Sequence, residues 1–180
     1  EASSSSSSAA ATVLVNEDFG AADTTVFLSA AYKTIATDNS LPLYLVPTGG
    51  SAARITVADG ALSMTNTRFT IGDKGGATTS STQPNGSYDL TKPYRIKFTI
   101  SAITGSGNVQ VYVDNNTSGA ANSIHGNPSR LLQLPVTGVS ALPYEVLIES
   151  SLGTATSFIQ LRAESGVTNV TIDNLKIEYQ

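Results

Sequence analysis

Apolar residues in this chain recur at every second position, in runs too short for helices. Ile96, Phe98 and Ile100 alternate with polar neighbours behind Pro93, and Val109, Val111 and Val113 do the same just after them. A period of two places one set of side chains on one face of a strand. The pattern returns in Val13, Val15 and Phe19, in Phe69 and Ile71, in Val146 and Ile148 behind Pro143, and in Ile159 and Leu161. Ile55 and Val57 run through Asp59-Gly60 into Leu62 and Met64, which predicts a hairpin on a type I′ turn. A last strand is expected over about 167–179. No stretch carries a helical stripe; Leu131-Leu132 is only an apolar pair. Eight or more short strands predict an all-β fold, a two-sheet antiparallel β-sandwich of the jelly-roll type.

The 180 residues suffice for one such domain. Residues 1–11, with serine from Ser3 to Ser8, have nothing to bury and are expected to be a linker; 12–180 are the sandwich. Charged residues make up 13%, while serine and threonine number 23 and 22. A net charge of −4 opposes phosphate, so no nucleic-acid partner is expected. No apolar run approaches the roughly 20 residues of a membrane helix, and no membrane partner is expected. The chain has no cysteine and a single histidine, His125, in a Gly/Asn/Ser-rich segment without nearby acids. Thiol chemistry is excluded, and most acid–base and zinc chemistry with it.

The last strand changes parity. Val170 and Ile172 are even, whereas Leu175, Ile177 and Tyr179 are odd, so a bulge is expected near Asp173-Asn174. In the first strand Glu17 shares parity with Val15 and Phe19, which aims it at the core. First and last strands often pair in sandwiches. Glu17, Asp18 and Asp173 would then make an oxygen-rich site suited to a structural Ca²⁺. The plainer alternative is a Glu17 paired with lysine or arginine beside a simple bulge.

A second constellation follows from the polar parity of the central strands. Arg95 and Lys97 face away from the core when Ile96 and Phe98 face it; Gln110 and Tyr112 do so in the next strand, and Gln160 and Arg162 in a later one. If these strands are neighbours, the six residues share one face, with Glu145 and Glu149 beside them. An aromatic ring next to fork-like donors suits a sugar: the ring stacks on C–H groups and the donors hold hydroxyls or carboxylates. The alternative is a solvated sheet with Lys–Glu cross-strand pairs. Residues 72–87 and 115–130 are expected to be long loops, and Tyr32, Tyr44 and Arg68 are secondary rim candidates.

The chain resembles a calcium-containing jelly-roll carbohydrate-binding module of secreted bacterial polysaccharide-degrading enzymes. The resemblance lies in the serine run Ser3 to Ser8, the opening Val15-Asn16-Glu17-Asp18-Phe19 and the ending Val170-Thr171-Ile172-Asp173-Asn174-Leu175. It implies a last-strand aspartate on a structural calcium, and the serine linker is similar to those of plant-cell-wall-degrading enzymes such as pectate lyases. The chain departs from that group in having no tryptophan, the usual sugar platform. The expectation is therefore a secreted, monomeric, non-catalytic module that binds a polysaccharide, preferably an acidic pectin-like chain, and tethers a catalytic domain of the same parent chain. The alternatives are a structural or adhesive surface domain without a glycan ligand, and a small lyase or hydrolase with carboxylates beside a Lys, Arg or Tyr base.

Overall fold

The computed structural model describes residues 12–19, 25–26, 33–35, 43–45, 55–72, 90–114, 129–154 and 157–180. Thirteen strands occur among them: β1 (Val13–Glu17), β2 (Thr25–Val26), β3 (Lys33–Ile35), β4 (Leu43–Leu45), β5 (Ile55–Ala58), β6 (Ala61–Met64), β7 (Arg68–Gly72), β8 (Tyr94–Gly105), β9 (Asn108–Asp114), β10 (Ser129–Pro135), β11 (Tyr144–Ser150), β12 (Phe158–Ala163) and β13 (Val167–Tyr179). No α-helix occurs among the described residues, and no helix there is long and apolar enough to cross a membrane. The expected linker over 1–11, Tyr32, His125 and the interiors of both expected loops lie outside the described residues.

The strands form two antiparallel sheets. The seven-stranded sheet runs β11-β8-β13-β6-β5-β2, with β1 also on β13; the six-stranded sheet runs β10-β9-β12-β7-β4-β3. The expected sandwich is therefore the observed one. Its core is the alternating set: Ile96, Phe98 and Ile100 of β8 meet Val109, Val111 and Val113 of β9 and Ile159 and Leu161 of β12, all buried. Each such side chain contributes roughly 1.5–3 kcal/mol when removed from water. Phe19, Tyr94, Phe98, Ile55, Leu62 and Met64 are the largest fully buried residues. The Tyr94 hydroxyl donates to the Leu152 carbonyl at 2.7 Å, and burial raises its pKa.

Both local devices read from the sequence are present. Asp59 (φ 53°) and Gly60 (φ 75°) are both left-handed, as a type I′ hairpin between β5 and β6 requires. The β13 register slips between Asp173 and Lys176, and Asn174 sits at φ 51°. Ile172 and Leu175 are consequently both buried. The bulge also divides the far edge of β13: Val170–Ile172 pair with β6, and the stretch after the bulge pairs with β1.

Two expectations are corrected. Leu131-Leu132 belongs to a strand, β10, whose register slips between Arg130 and Leu132 and so hides its alternation. Arg130 is likewise the second residue of β10 and not the end of a loop. The second correction concerns β8 and β9, which are joined by Ser106-Gly107 alone yet lie in different sheets. Gly105 (φ 103°) and Gly107 (φ 88°) let the chain arch from one sheet to the other. A Cβ on Gly105 would stand 2.2 Å from the Gly166 carbonyl oxygen, so only glycine fits the arch.

Candidate functional site

The arch splits the constellation expected on one face. Arg95 and Lys97 stand on the outer face of the seven-stranded sheet, whereas Gln110, Tyr112, Gln160 and Arg162 stand on the outer face of the six-stranded sheet, across the core. The six residues do not share a surface, because β8 neighbours β11 and β13 and not β9.

On the seven-stranded face the charges neutralise one another. Arg95 pairs with Glu149 at 3.1 Å, opposite it on β11. Glu178 takes Lys97 at 2.9 Å and Lys176 at 2.5 Å and is only 4% exposed. The hydrogen bond from Lys176, then that from Lys97, holds its carboxyl below the usual carboxylate range. Thr99 donates to Glu145 at 3.0 Å. Hydroxyls elsewhere on this face also bond one another, as in Ser63 with Thr171 at 2.8 Å. These are the cross-strand pairs of a solvated sheet.

The six-stranded face is built differently. Val109, Val111 and Val113 fix β9 so that Asn108, Gln110 and Tyr112 point outward; Ile159 and Leu161 fix β12 so that Gln160 and Arg162 do so. In the ladder Gln160 lies opposite Tyr112, and Arg162 opposite Gln110. The rows extend both ways: Arg130 stands opposite Tyr112, Gln133 opposite Gln110, and Arg68 opposite Arg162. The Tyr112 hydroxyl donates to Gln110 Oε1 at 2.8 Å, Gln110 Nε2 donates to Glu164 Oε1 at 2.5 Å, and Asn108 Nδ2 donates to Glu164 Oε2 at 2.6 Å. Gln110 is thus satisfied at both ends. Gln160 is equally buried, at 2% exposure, but its Nε2 has no acceptor. Arg162 is half-buried and makes no ion pair among the described residues.

Four of the six expected ligand residues therefore come together, and two do not. Sequence reasoning missed Asn108 and Glu164, although both share the outward parity of their neighbours. It gave Arg68 only a rim role, because nothing in the sequence says that β7 flanks β12.

The expected metal ligands stand at one end of the β1–β13 ladder. Glu17 lies opposite Leu175, so Asp18 and Asp173 follow at adjoining positions. Asp173 Oδ1 accepts from Asn174 Nδ2 at 2.5 Å. Among the described residues no three His, Cys, Asp or Glu side chains gather around a possible ion, and the Glu17 side chain is not among those described. A further cavity of about 250 Å³ opens between the edge strands β10 and β11, lined by Leu132, Leu134, Tyr144, Glu145, Val146 and Leu147.

No protein-family model matches the chain, and no curated protein matches it in sequence. Solved structures do. A mutant of the family 29 carbohydrate-binding module CBM29-2 superposes with a TM-score of 0.50 at 14% identity, covering 83% of this chain and 92% of that one. Another mutant of that module, complexed with cellulohexaose, gives 0.50 at 13% identity with the same coverage. The K1 cleaved adhesin domain of Lys-gingipain from Porphyromonas gingivalis gives 0.46 at 16%, covering 94% and 99%. The two likenesses at 0.50 agree with the sandwich fold and reach no further at such identities.

Proposed function

We propose that this chain is a non-catalytic polysaccharide-binding module, and that the outer face of the six-stranded sheet is where it holds its ligand. The observation that carries this reading is the set of donors on that face: among the described residues the Tyr112 ring stands beside Arg162, which makes no ion pair, and Gln160, whose Nε2 has no acceptor. An aromatic ring flanked by unengaged donors is what a sugar chain needs, C–H groups on the ring and oxygens on the donors. The fold shared with CBM29-2, one mutant of which was solved with a bound glucan, supports it. An acidic, pectin-like chain is the preferred ligand. That preference now rests on Arg162, since Arg95 and Lys97 are committed to Glu149 and Glu178.

In this reading the module is secreted and monomeric, and it keeps a catalytic domain of the same parent chain near plant-cell-wall glycan through residues 1–11. Weak binding by one module then raises the effective concentration at the other. A structural Ca²⁺ at the β1–β13 junction belongs to the same proposal, supported by the pairing of the first and last strands and by the bulge at Asp173-Asn174. No binding step depends on it. Affinity gels cast with pectin, alginate, xylan or cellulose test the reading. Retardation in at least one gel, strongest with a polyuronate, is expected. Unchanged migration in all four would favour the structural or adhesive reading, to which the ion-paired seven-stranded face is suited.

A further inference from the structure

Arg162 stands two residues from Glu164, which directly follows Ala163, the last residue of β12; in extended chain that is a Cα separation of about 7 Å, well within reach of two long side chains. An arginine and a glutamate so placed would ordinarily pair. They do not: the Glu164 carboxylate is turned toward β9, where Oε1 accepts from the Gln110 amide at 2.5 Å and Oε2 from the Asn108 amide at 2.6 Å, and no ion pair with Arg162 forms among the described residues. Gln110 is in turn fixed by the Tyr112 hydroxyl. Across the ladder Arg162 meets Gln110 on one side and Arg68 on the other, so neither neighbour brings a carboxylate. On its own strand, two residues the other way, Gln160 keeps a buried Nε2 donor without an acceptor. Buried donors are rarely left unmatched, because the desolvation penalty is then uncompensated.

We propose that Gln160 and Arg162 form a subsite that reads the free carboxylate of a uronic acid residue and discriminates against its methyl ester, and that Asn108 and Gln110 keep the subsite open by holding Glu164 away from Arg162. The proposal rests on the glycan-binding reading above and deepens it. A carboxylate offers charged oxygens with several lone pairs, enough for the arginine fork and the glutamine amide together. Esterification removes the charge and leaves one good carbonyl acceptor, and hydrogen bonds to a neutral acceptor are roughly half as strong.

The test follows the side-chain amide of Gln160 and the Arg162 guanidinium by ¹H–¹⁵N NMR in the full chain. The probes are a galacturonate oligomer, its methyl ester and a neutral glucan oligomer. The acid should shift both resonances saturably and bind about tenfold more tightly than the ester, a preference that added salt reduces. Arg162→Ala should abolish the preference. Asn108→Ala should reduce it by freeing Glu164 to pair with Arg162. Equal affinity for acid and ester, with Gln160 unmoved, would overturn the subsite and leave glycan binding standing. An undiminished preference in Asn108→Ala at an unchanged melting temperature would overturn the role given to Glu164. Absence of a saturable response to all three oligomers would remove the glycan-binding reading, and this inference with it.

Discussion

The two outer faces of the sandwich use the same residue types to opposite ends. On the seven-stranded sheet a glutamate, Glu178, gathers two lysines, and Arg95 has its own acid in Glu149. On the six-stranded sheet a glutamate, Glu164, is held by two amides, and the nearby Arg162 is left without an acid among the described residues. The first face spends its charges on itself, although Arg95 Nε is buried there without an acceptor. The second keeps a cation and a buried amide donor unspent. A count of charges would not separate the two faces; the partner of each carboxylate does.

The comparison can be broken most forcefully at Arg162. Arg162→Ala should weaken a polyuronate ligand about tenfold, since a charge-assisted hydrogen bond is lost, and should change stability by less than about 0.5 kcal/mol. Isothermal titration alongside a thermal melt checks both halves. A loss of stability without a loss of binding would put Arg162 in the same class as Lys97.

Glu178→Gln is the converse case. It leaves Lys97 and Lys176 side by side without their shared carboxylate. A destabilisation of about 1 kcal/mol is expected in denaturant unfolding, kept modest because both lysines are partly in solvent, with glycan affinity unchanged. The pH dependence has a definite sign. Because the folded-state pKa of Glu178 lies below its ordinary value of 4.5, its contribution is complete above that value and is lost as pH falls through the lowered folded value. The parent should therefore lose stability between pH 5 and pH 3 more steeply than Glu178→Gln, by melts across about that range. Parallel curves would show that the lysine pairs add nothing.

Tyr112→Ala sharpens the account of the binding face itself. The ring contact is worth on the order of 1 kcal/mol, a several-fold loss that should fall on acidic and neutral oligomers alike. A loss confined to acidic ligands would mean that Tyr112 acts only by ordering Gln110 and Glu164. The smallest effect is expected at Arg95. Its pair with Glu149 is partly in solvent, so Arg95→Ala should shift the melt only slightly, and the gel retardation not at all.

Local features of the fold were legible wherever period and punctuation agreed. The Asp59-Gly60 hairpin, the parity change at Asp173-Asn174 and the inward sets of β8, β9 and β12 all follow from side-chain alternation and turn chemistry. Parity also named Gln110, Tyr112, Gln160 and Arg162 as outward. It could not say which strands are neighbours. The two-residue link Ser106-Gly107 reads like a hairpin, yet the left-handed glycines on either side of Ser106 carry β9 into the opposite sheet, and Arg95 and Lys97 are separated from the other four. Strand β10 was hidden for a similar reason, since a register slip at Leu131 erases the alternation. Glu164 was invisible as a clamp because its partners, Asn108 and Gln110, lie more than fifty positions away in sequence. Sheet membership is a non-local property, and the side-chain pairs that depend on it cannot be read from one strand at a time.

The claim that one face binds and the other only folds is tested most directly by titrating a polyuronate into Arg162→Ala and Lys97→Ala side by side. Arg162→Ala is expected to lose about tenfold in affinity while Lys97→Ala binds as the parent does, because Lys97 lies across the core and is already held by Glu178. Equal losses in the two variants, or a larger loss in Lys97→Ala, would contradict it.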